Sequence, residues 1–298
     1  MDGANAASAA STSRASSLGL RVASVAVLIP LIVGGVYLSA WVVVGLVIVS
    51  TIIGILELFS LLRVGGYEPR IAIGLTIGMA LCGAAVLQGR LPGDLGFAVV
   101  GVTVVGSLIA EIARRDYGQS LVNWALTLVG AYYVAGLLVF FILLRRIETP
   151  LSGGWLSFLQ IAPGAAWIYT VLAITWLQDT AAYFIGRAFG RHKMAPVLSP
   201  KKSWEGAIGG FVVSILTALI AVPILGLPLH PALAALLGGI CGVTGPLGDL
   251  AESLIKRQIG VKDSGQLIPG HGGILDRADS LFFTVATVYC FVLLTVQI

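Results

Sequence analysis

The sequence is poor in charged residues. Only 11% of its 298 residues are Asp, Glu, Lys or Arg, whereas 57% are hydrophobic. Soluble domains usually contain about a quarter charged residues, so this composition excludes an ordinary soluble protein. The apolar residues form blocks long enough to cross a bilayer, which takes about 20 residues each, and this pattern favours one integral membrane domain.

Cysteine is also scarce. The three cysteines, Cys82, Cys241 and Cys290, all lie inside apolar blocks and show no CxxC or Cys/His spacing. This arrangement argues against a disulfide framework and against a zinc site. We therefore expect the cysteines to serve in packing.

Hydropathy divides the chain into a tail and about nine predicted transmembrane spans. Residues 1–20 are rich in Ala and Ser and are expected to form a mobile tail, with a targeting sequence as the alternative. The apolar run from Val22 to Leu62 is too long for one crossing and is weakest near Ser39, so it predicts two spans. The other predicted spans are Ile71 to Gln88, Leu95 to Ile112, Leu121 to Leu144, Ala165 to Ile185, Ala207 to Leu225, Pro231 to Leu250 and Ser280 to Ile298.

These spans predict an all-α integral membrane protein. We assign residues 21–160 to N-terminal transmembrane helices and residues 161–298 to a C-terminal transmembrane region that holds the candidate catalytic residues. In the eighth span, glycines and Pro246 are expected to interrupt the helix. An interrupted helix in lipid needs protein or a cavity around its freed backbone groups, so this span predicts a nearby site.

The distribution of basic residues predicts the orientation. When the nine spans alternate, only Arg90, Arg145 and Arg146 of the 18 Lys and Arg residues fall on one side, which leaves 15 on the other. Cytoplasmic loops carry the excess of Lys and Arg. We therefore expect the N-terminus and the polar loops after the sixth and eighth spans to be cytoplasmic. Topology accounts for much of the net charge of +4, so no nucleic-acid partner is expected.

Acidic residues within the spans are candidate functional groups, because a charge is costly in lipid. Glu57 and Glu111 lie near span ends beside basic residues, so a structural ion pair or snorkelling is the favoured interpretation for both. Asp179 differs, because it shares a helical face with Tyr183 and Gly186. This spacing indicates that the Asp179 face is directed at a site.

The first polar loop, from Gly190 to Gly206, contains two adjacent lysines. Pro196 and Pro200 oppose a helix here, and Lys201 and Lys202 lie just ahead of the next helix. Lysines combined with the free amides of a helix N-terminus suit a phosphate chain. Contact with lipid headgroups explains the pair equally well.

The second polar segment, from Gly245 to Ser280, repeats an acidic pattern. If residues 248–258 are helical, then Asp249, Glu252, Ser253 and Lys256 lie on one face. A glycine-rich turn around His271 follows, after which Asp276, Asp279 and Ser280 recur at the same spacing. Two carboxylate faces are therefore expected to converge.

Converging carboxylates provide the hard oxygen ligands that Mg²⁺ prefers, and Mg²⁺ commonly bridges to substrate phosphates. The cations around them can neutralise further phosphate charge; they are Lys256, Arg257, Lys262 and Arg277. Together these groups suit metal-assisted phosphoryl or nucleotidyl transfer. A salt-bridged amphipathic loop on the membrane surface is the alternative, and His271 could equally be structural.

The chain resembles the phosphatidate cytidylyltransferase (CDP-diacylglycerol synthase) family. The resemblance rests on a C-terminal motif of that family, which here comprises Ser253, Ile255, Lys256, Arg257, Lys262, Asp263, Gly265, Ile268, Pro269, His271, Gly272, Gly273, Ile274, Asp276, Arg277 and Asp279. It extends to SPKKSWEG at 199–206, QDTAAYFIGR at 178–187 and GDLAES at 248–253, about the last 120 residues in all. Ala278 departs from the larger residue or Thr usual in the family, which removes no polar group.

The resemblance implies that phosphatidic acid attacks the α-phosphorus of CTP and releases pyrophosphate. It implies Mg²⁺ on Asp249 and Asp276, with Asp279 as a further candidate ligand, and a monovalent cation such as K⁺ nearby. The implied catalytic residues are Asp249, Asp276, Lys256, His271 and Arg277. The implied nucleotide-binding residues are Ser199, Lys201, Lys202, Ser203, Asp179, Arg257, Lys262, Asp263, Gly272 and Gly273.

The expected partners are CTP, phosphatidic acid and membrane lipids, and a homodimer is left open. The expected location is the inner membrane of a bacterium, with the active site on the cytoplasmic side. Three other functions compete. A CTP-dependent lipid kinase would transfer the γ-phosphate, a CDP-alcohol phosphotransferase would need a motif that this sequence lacks, and a transporter would place its charges near the bilayer midplane.

Overall fold

The computed structural model of the protein describes residues 27–90, 93–113, 118–265 and 273–296. These residues form nine α-helices, a short 3-10 helix (Ser157–Leu159) and a two-stranded antiparallel sheet, β1 (Lys193–Ala195) with β2 (Ser199–Ser203). The helices are α1 (Val27–Leu38), α2 (Ala40–Val64), α3 (Ile71–Leu87), α4 (Leu95–Ile112), α5 (Ser120–Arg145), α6 (Pro163–Phe189), α7 (Trp204–Leu225), α8 (Pro231–Ile259) and α9 (Leu275–Thr295). The predicted tail, residues 1–20, lies outside the described residues.

Six of the described helices are long and apolar enough to cross a membrane: α2, α4, α5, α7, α8 and α9. The described parts of α1 and α3 are apolar but shorter, and α6 is not among the six. The predicted membrane protein of mainly helical fold is therefore supported. The number of nine spans and the two domain boundaries stay predictions.

The predicted break near Ser39 is confirmed. Ser39 lies between α1 and α2, and its hydroxyl accepts a hydrogen bond from Trp41 N at 3.2 Å. A hydroxyl at this position satisfies one of the backbone donors that a helix leaves unpaired at its start. One polar residue thus divides an apolar run that is otherwise continuous.

Contacts between helix ends show that the helices alternate in direction. At one end of the bundle, the Arg70 side chain at the start of α3 pairs with Glu111 near the end of α4. At the opposite end, Tyr37 Oη donates to Leu159 O, and Arg146 donates to the Ala85 carbonyl near the end of α3. We call the first end the polar end, because it also holds the β1–β2 hairpin and the junction of α8 with α9.

The prediction of an all-α protein needs one correction, because the loop after α6 contains the β1–β2 hairpin. Lys193 pairs with Ser203, and Ala195 with Ser199. Proline disfavours a helix because it lacks a backbone N–H, and Pro196 lies in the turn of the hairpin and Pro200 at the start of β2. The short segment satisfies its backbone groups by pairing with itself instead.

The prediction of a broken eighth span is wrong. α8 runs without interruption through Pro246 to Ile259, so it also contains the first half of the second polar segment. Its glycines allow close packing. A Cβ atom on Gly242 would lie 2.5 Å from Ser214 Oγ of α7, and one on Gly248 would lie 2.5 Å from the Asp279 carbonyl oxygen of α9. The polar loop after α8 is correspondingly short.

The core lies between the helices and is apolar. Its largest fully buried side chains are Trp167, Phe59 and Phe282. Cys82 and Cys241 are buried and unpaired, which confirms their predicted role in packing, whereas Cys290 is exposed and also unpaired. The core thus fixes the helix positions from which the polar residues project.

Candidate active site

The predicted acidic row lies on α8 as expected. Residues 248–258 are helical, and Asp249, Glu252, Ser253 and Lys256 follow one another along one face. Lys256 Nζ lies 3.0 Å from Glu252 Oε1, and Ser253 Oγ lies 3.4 Å from Asp249 Oδ1. Glu252 is buried, with 3% of its side chain exposed. The row therefore faces the interior of the bundle and not lipid.

The β1–β2 hairpin brings Lys202 to this row. Its Nζ atom lies 2.7 Å from Asp249 Oδ2 and donates to the Pro246 carbonyl at 3.2 Å. Lys201 is exposed, because neighbouring residues in a strand point to opposite faces. The two predicted phosphate-binding lysines therefore occupy different environments, and only Lys202 contacts α8.

Two of the predicted nucleotide-binding residues have structural roles in the hairpin. Ser203 is buried and caps α7, because its hydroxyl accepts a hydrogen bond from Gly206 N at 3.2 Å. Ser199 pairs with Ala195 at the start of β2. Both residues orient the strand that carries the lysines.

Asp276 joins α8, the loop after it and α9. Its Oδ1 atom lies 2.6 Å from Lys256 Nζ. Its Oδ2 atom accepts hydrogen bonds at 3.0 Å from Ser264 N, Ser264 Oγ and Gly273 N. Both carboxylate oxygens of Asp276 are thus engaged by protein donors.

The acidic groups of three helices meet around these lysines. Asp179 on α6 interacts electrostatically with Asp249 and with Lys202. Asp279 on α9 interacts with Asp249 and Asp179. Glu252 interacts with Asp276 and Asp279. We call this set the acid–lysine cluster; its members are Asp179, Lys202, Asp249, Glu252, Lys256, Asp276 and Asp279.

Asp249 and Asp276 are connected only indirectly in the described residues. The link between them runs through Glu252, Lys256 and Asp279. Within the described ranges, no three His, Cys, Asp or Glu side chains are arranged as a metal site. Instead, the ammonium groups of Lys202 and Lys256 bind the carboxylates of Asp249 and Asp276.

The remaining predicted residues surround the cluster. Arg257 donates from Nε to the Leu198 carbonyl and from Nη1 to the Val261 carbonyl, both at 3.2 Å, so it ties the hairpin to the end of α8. Three further predicted residues are exposed nearby, namely Lys262, Asp263 and Arg277. Gly273 is buried, whereas His271 and Gly272 lie outside the described residues.

The structure adds one residue that sequence analysis assigned elsewhere. Glu57 on α2, for which an ion pair or snorkelling was expected, accepts hydrogen bonds from Ile274 N at 3.0 Å and from Leu275 N at 3.1 Å, so it caps α9. The only sequence signal for a role of Glu57 at the site was its charge inside a predicted span, because its partners lie more than 200 residues away along the chain. The ion pair expected for Glu111 is confirmed, with Arg70 at 3.2 Å.

Comparison with known proteins extends the similarity beyond the C-terminal segments. A family model described as the cytidylyltransferase family matches residues 19–295. A phosphatidate cytidylyltransferase of Synechocystis sp. is 33% identical over 281 residues, which cover 90% of this chain and 92% of that relative. The helices before α6 are therefore shared as well.

Other relatives match over a shorter segment at higher identity. A phosphatidate cytidylyltransferase of Brucella suis is 46% identical over 131 residues, which cover 43% of this chain and 47% of that relative. An uncharacterized protein of Escherichia coli, YnbB, is 45% identical over 141 residues, 46% of this chain and 47% of its own length.

Proposed function

Since the chain belongs to the cytidylyltransferase family, we propose that it converts CTP and phosphatidic acid into CDP-diacylglycerol and pyrophosphate. The observation that carries the proposal is the acid–lysine cluster at the polar end of a bundle of apolar helices. A diacyl lipid keeps its headgroup at the membrane surface, whereas a nucleotide comes from water. A charged cluster at one end of the helices is where the two can meet.

The proposed reaction requires no side-chain nucleophile. A phosphate oxygen of phosphatidic acid attacks the α-phosphorus of CTP, and the bond from that phosphorus to the bridging oxygen breaks as pyrophosphate leaves. Catalysis of such transfers rests on positioning and on neutralising charge. Lys202 has 21% of its side chain exposed, so a phosphate can reach it, and the exposed Lys201 extends the positive surface.

The cluster offers carboxylate oxygens, the donor type that a hard divalent cation prefers, although in this structure lysines engage them and the described acids are not arranged as a metal site. Carboxylates of α6, α8 and α9 interact electrostatically with one another, and the two lysines of the cluster offset only part of the charge of its five acids. We propose that Asp249, Asp276 and Asp279 hold Mg²⁺ during turnover, with a monovalent cation such as K⁺ beside it. Bound Mg²⁺ would neutralise phosphate charge and orient the triphosphate.

For this to occur, Lys256 must release Asp276 Oδ1 and Lys202 must release Asp249 Oδ2. Each released ammonium group is then available to phosphate oxygens, which makes the two lysines part of the nucleotide site. His271 and Arg277 remain proposed contributors to phosphate binding, as do Lys262 and Arg257.

We further propose that the polar end faces the cytoplasm of a bacterial inner membrane. The support is the distribution of basic residues, because Arg90, Arg145 and Arg146 follow the ends of α3 and α5 opposite to the cluster. A transporter is disfavoured, because the charges gather toward one end of the helices and not midway along them.

The decisive experiment incubates the purified protein with CTP, Mg²⁺ and phosphatidic acid and identifies the products by mass spectrometry. CDP-diacylglycerol and pyrophosphate are expected. A phosphorylated lipid with CDP as the second product would instead identify a CTP-dependent lipid kinase. Absence of CTP turnover in a folded preparation that contains Mg²⁺ and K⁺ would reject the proposed transfer to phosphatidic acid.

A further inference from the structure

The carboxylate of Glu57 lies at the junction between α2 and the start of α9. Its two oxygens accept hydrogen bonds from consecutive backbone amides, Ile274 N at 3.0 Å and Leu275 N at 3.1 Å. The α9 N-cap residue, Ile274, provides no side-chain cap of its own. A helix start needs acceptors for its unpaired amides and favours negative charge, so Glu57 supplies from another helix what α9 lacks.

Glu57 also lies against two glycines of the segment between α8 and α9. A Cβ atom added to Gly265 would lie 3.0 Å from Glu57 Oε1, and one added to Gly273 would lie 2.6 Å from Glu57 Oε2. The distance at Gly273 is shorter than real Cβ contacts, so only glycine fits there without a shift, and the distance at Gly265 is tighter than most real Cβ contacts. The carboxylate is therefore packed between these two glycines and the first turn of α9.

This turn carries the most highly connected acid of the cluster. Asp276 follows Leu275 directly, and the backbone N–H of Gly273, in the same turn, donates a hydrogen bond to the Asp276 carboxylate. Glu57 holds the two amides between these residues. Displacement of the turn would move Asp276 relative to Lys256 and Ser264, although α2 contributes no member of the acid–lysine cluster.

We propose that Glu57 is a positioning residue for cytidylyl transfer, which fixes the first turn of α9 and thereby the Asp276 carboxylate. The effect of Glu57 on catalysis rests on the proposed function, whereas the capping of α9 by Glu57 does not depend on it. The positioning role of Glu57 involves a membrane helix of the N-terminal half in the reaction. Groups around a metal-binding carboxylate commonly tune metal affinity through such contacts.

The structural part is tested on metal-free protein by hydrogen–deuterium exchange. In Glu57→Gln, the side-chain amide keeps one acceptor and loses the other, so one of the two amides at Ile274 and Leu275 loses its partner. Exchange in this turn is expected to become about tenfold faster, while the remainder of α9 keeps its protection. Unchanged exchange at both amides would overturn the proposal.

The matched control is Glu111→Gln, which removes the charge of a second acid at the polar end, one that is buried. Glu111 pairs with Arg70, which lies at the start of α3 and not of α9. This variant is expected to leave exchange at Ile274 and Leu275 unchanged. Equal acceleration in both variants would mean a general loss of stability and would refute a specific role for Glu57.

The kinetic part is tested by the Mg²⁺ concentration that gives half-maximal CDP-diacylglycerol formation. Glu57→Gln is expected to raise this concentration about tenfold. A purely structural role would lower the amount of active enzyme and leave the Mg²⁺ midpoint unchanged, which would reject the positioning role. If the wild-type protein forms no CDP-diacylglycerol, the proposed function is wrong. The hydrogen–deuterium exchange experiment would still test whether Glu57 caps α9.

Discussion

Lys202 of β2 forms an ion pair with Asp249 of α8, with 2.7 Å between Nζ and Oδ2. The two residues lie on separate elements, so the contact fixes the hairpin against the helix. Both side chains stay partly exposed, at 21% and 33%. The ion pair is thus both a tertiary contact and a surface that a phosphate can reach.

Lys202→Met is expected to lower kcat/KM for CTP by about 10- to 100-fold. The variant would lose the proposed charge-assisted contact with a CTP phosphate, and such a contact is worth about 1.5–3 kcal/mol. Steady-state kinetics with phosphatidic acid vesicles measures the effect. Lys193→Met is the control, because Lys193 is an exposed lysine on the other strand of the same hairpin. A loss of similar size in both variants would point to nonspecific electrostatics.

Asp276→Asn is expected to reduce CTP turnover by at least about a thousandfold, because the proposed reaction would lose the charge of a proposed Mg²⁺ ligand. Asn retains an acceptor for some of the donors from Ser264 and Gly273, so the protein should still elute as a folded species in size-exclusion chromatography. Asp94→Asn alters a helix cap on α4, at the end of the bundle away from the cluster. It should retain wild-type turnover.

Gly248→Ala is expected to lower both the melting temperature and the activity. The added Cβ atom would lie 2.5 Å from the Asp279 carbonyl oxygen and 3.0 Å from Phe283 Cδ2, so α8 and α9 must separate. Overpacking of this kind typically costs about 1–3 kcal/mol. Thermal denaturation in detergent is the measurement.

Gly83→Ala is the matched substitution, since a Cβ atom there would have no neighbour within 4 Å. Alanine favours a helix over glycine by about 1 kcal/mol, so this variant should be as stable as the wild type or more stable. If Gly248→Ala were equally well tolerated, the close approach of α8 and α9 would not be needed.

Sidedness can be measured with single cysteines in a variant that lacks the three native ones. Lys201→Cys at the polar end is expected to react with a membrane-impermeant maleimide only after the inner membrane is opened. Arg90→Cys, which follows α3 at the opposite end, should react in intact spheroplasts. The reverse pattern would contradict the proposed orientation of the active site.

The acidic row on α8 could be predicted from the sequence, because helical spacing alone decides which residues share a face. To predict that Asp249, Glu252 and Lys256 lie on one face, it was enough to assume that residues 248–258 are helical. The break at Ser39 follows from an equally local rule, and the cost of a charge in lipid predicts that Glu111 has a partner, although Arg70 lies 41 positions away and could not be named from the sequence. These features depend on neighbours in the sequence or on the cost of burying charge in lipid.

The uninterrupted α8 could not be predicted in this way. Glycine and proline in a lipid-facing helix usually weaken it, but here Gly242 and Gly248 lie against α7 and α9. Tertiary packing therefore outweighs local propensity, and it cannot be seen without the neighbouring helices. The hairpin was also missed, because the sequence of the loop shows no alternating pattern and the pairing of Lys193 with Ser203 is visible only in the folded chain.

The contact of Glu57 with α9 has a consequence for how the protein is made. Glu57 and Ile274 are separated by 217 positions, so the ribosome completes α2 long before α9 exists. During this interval the Glu57 carboxylate lacks its hydrogen bonds to Ile274 and Leu275, because the intervening helices are synthesised first. The acid–lysine cluster can therefore be completed only after α9, which carries Asp276 and Asp279, has been synthesised and has docked.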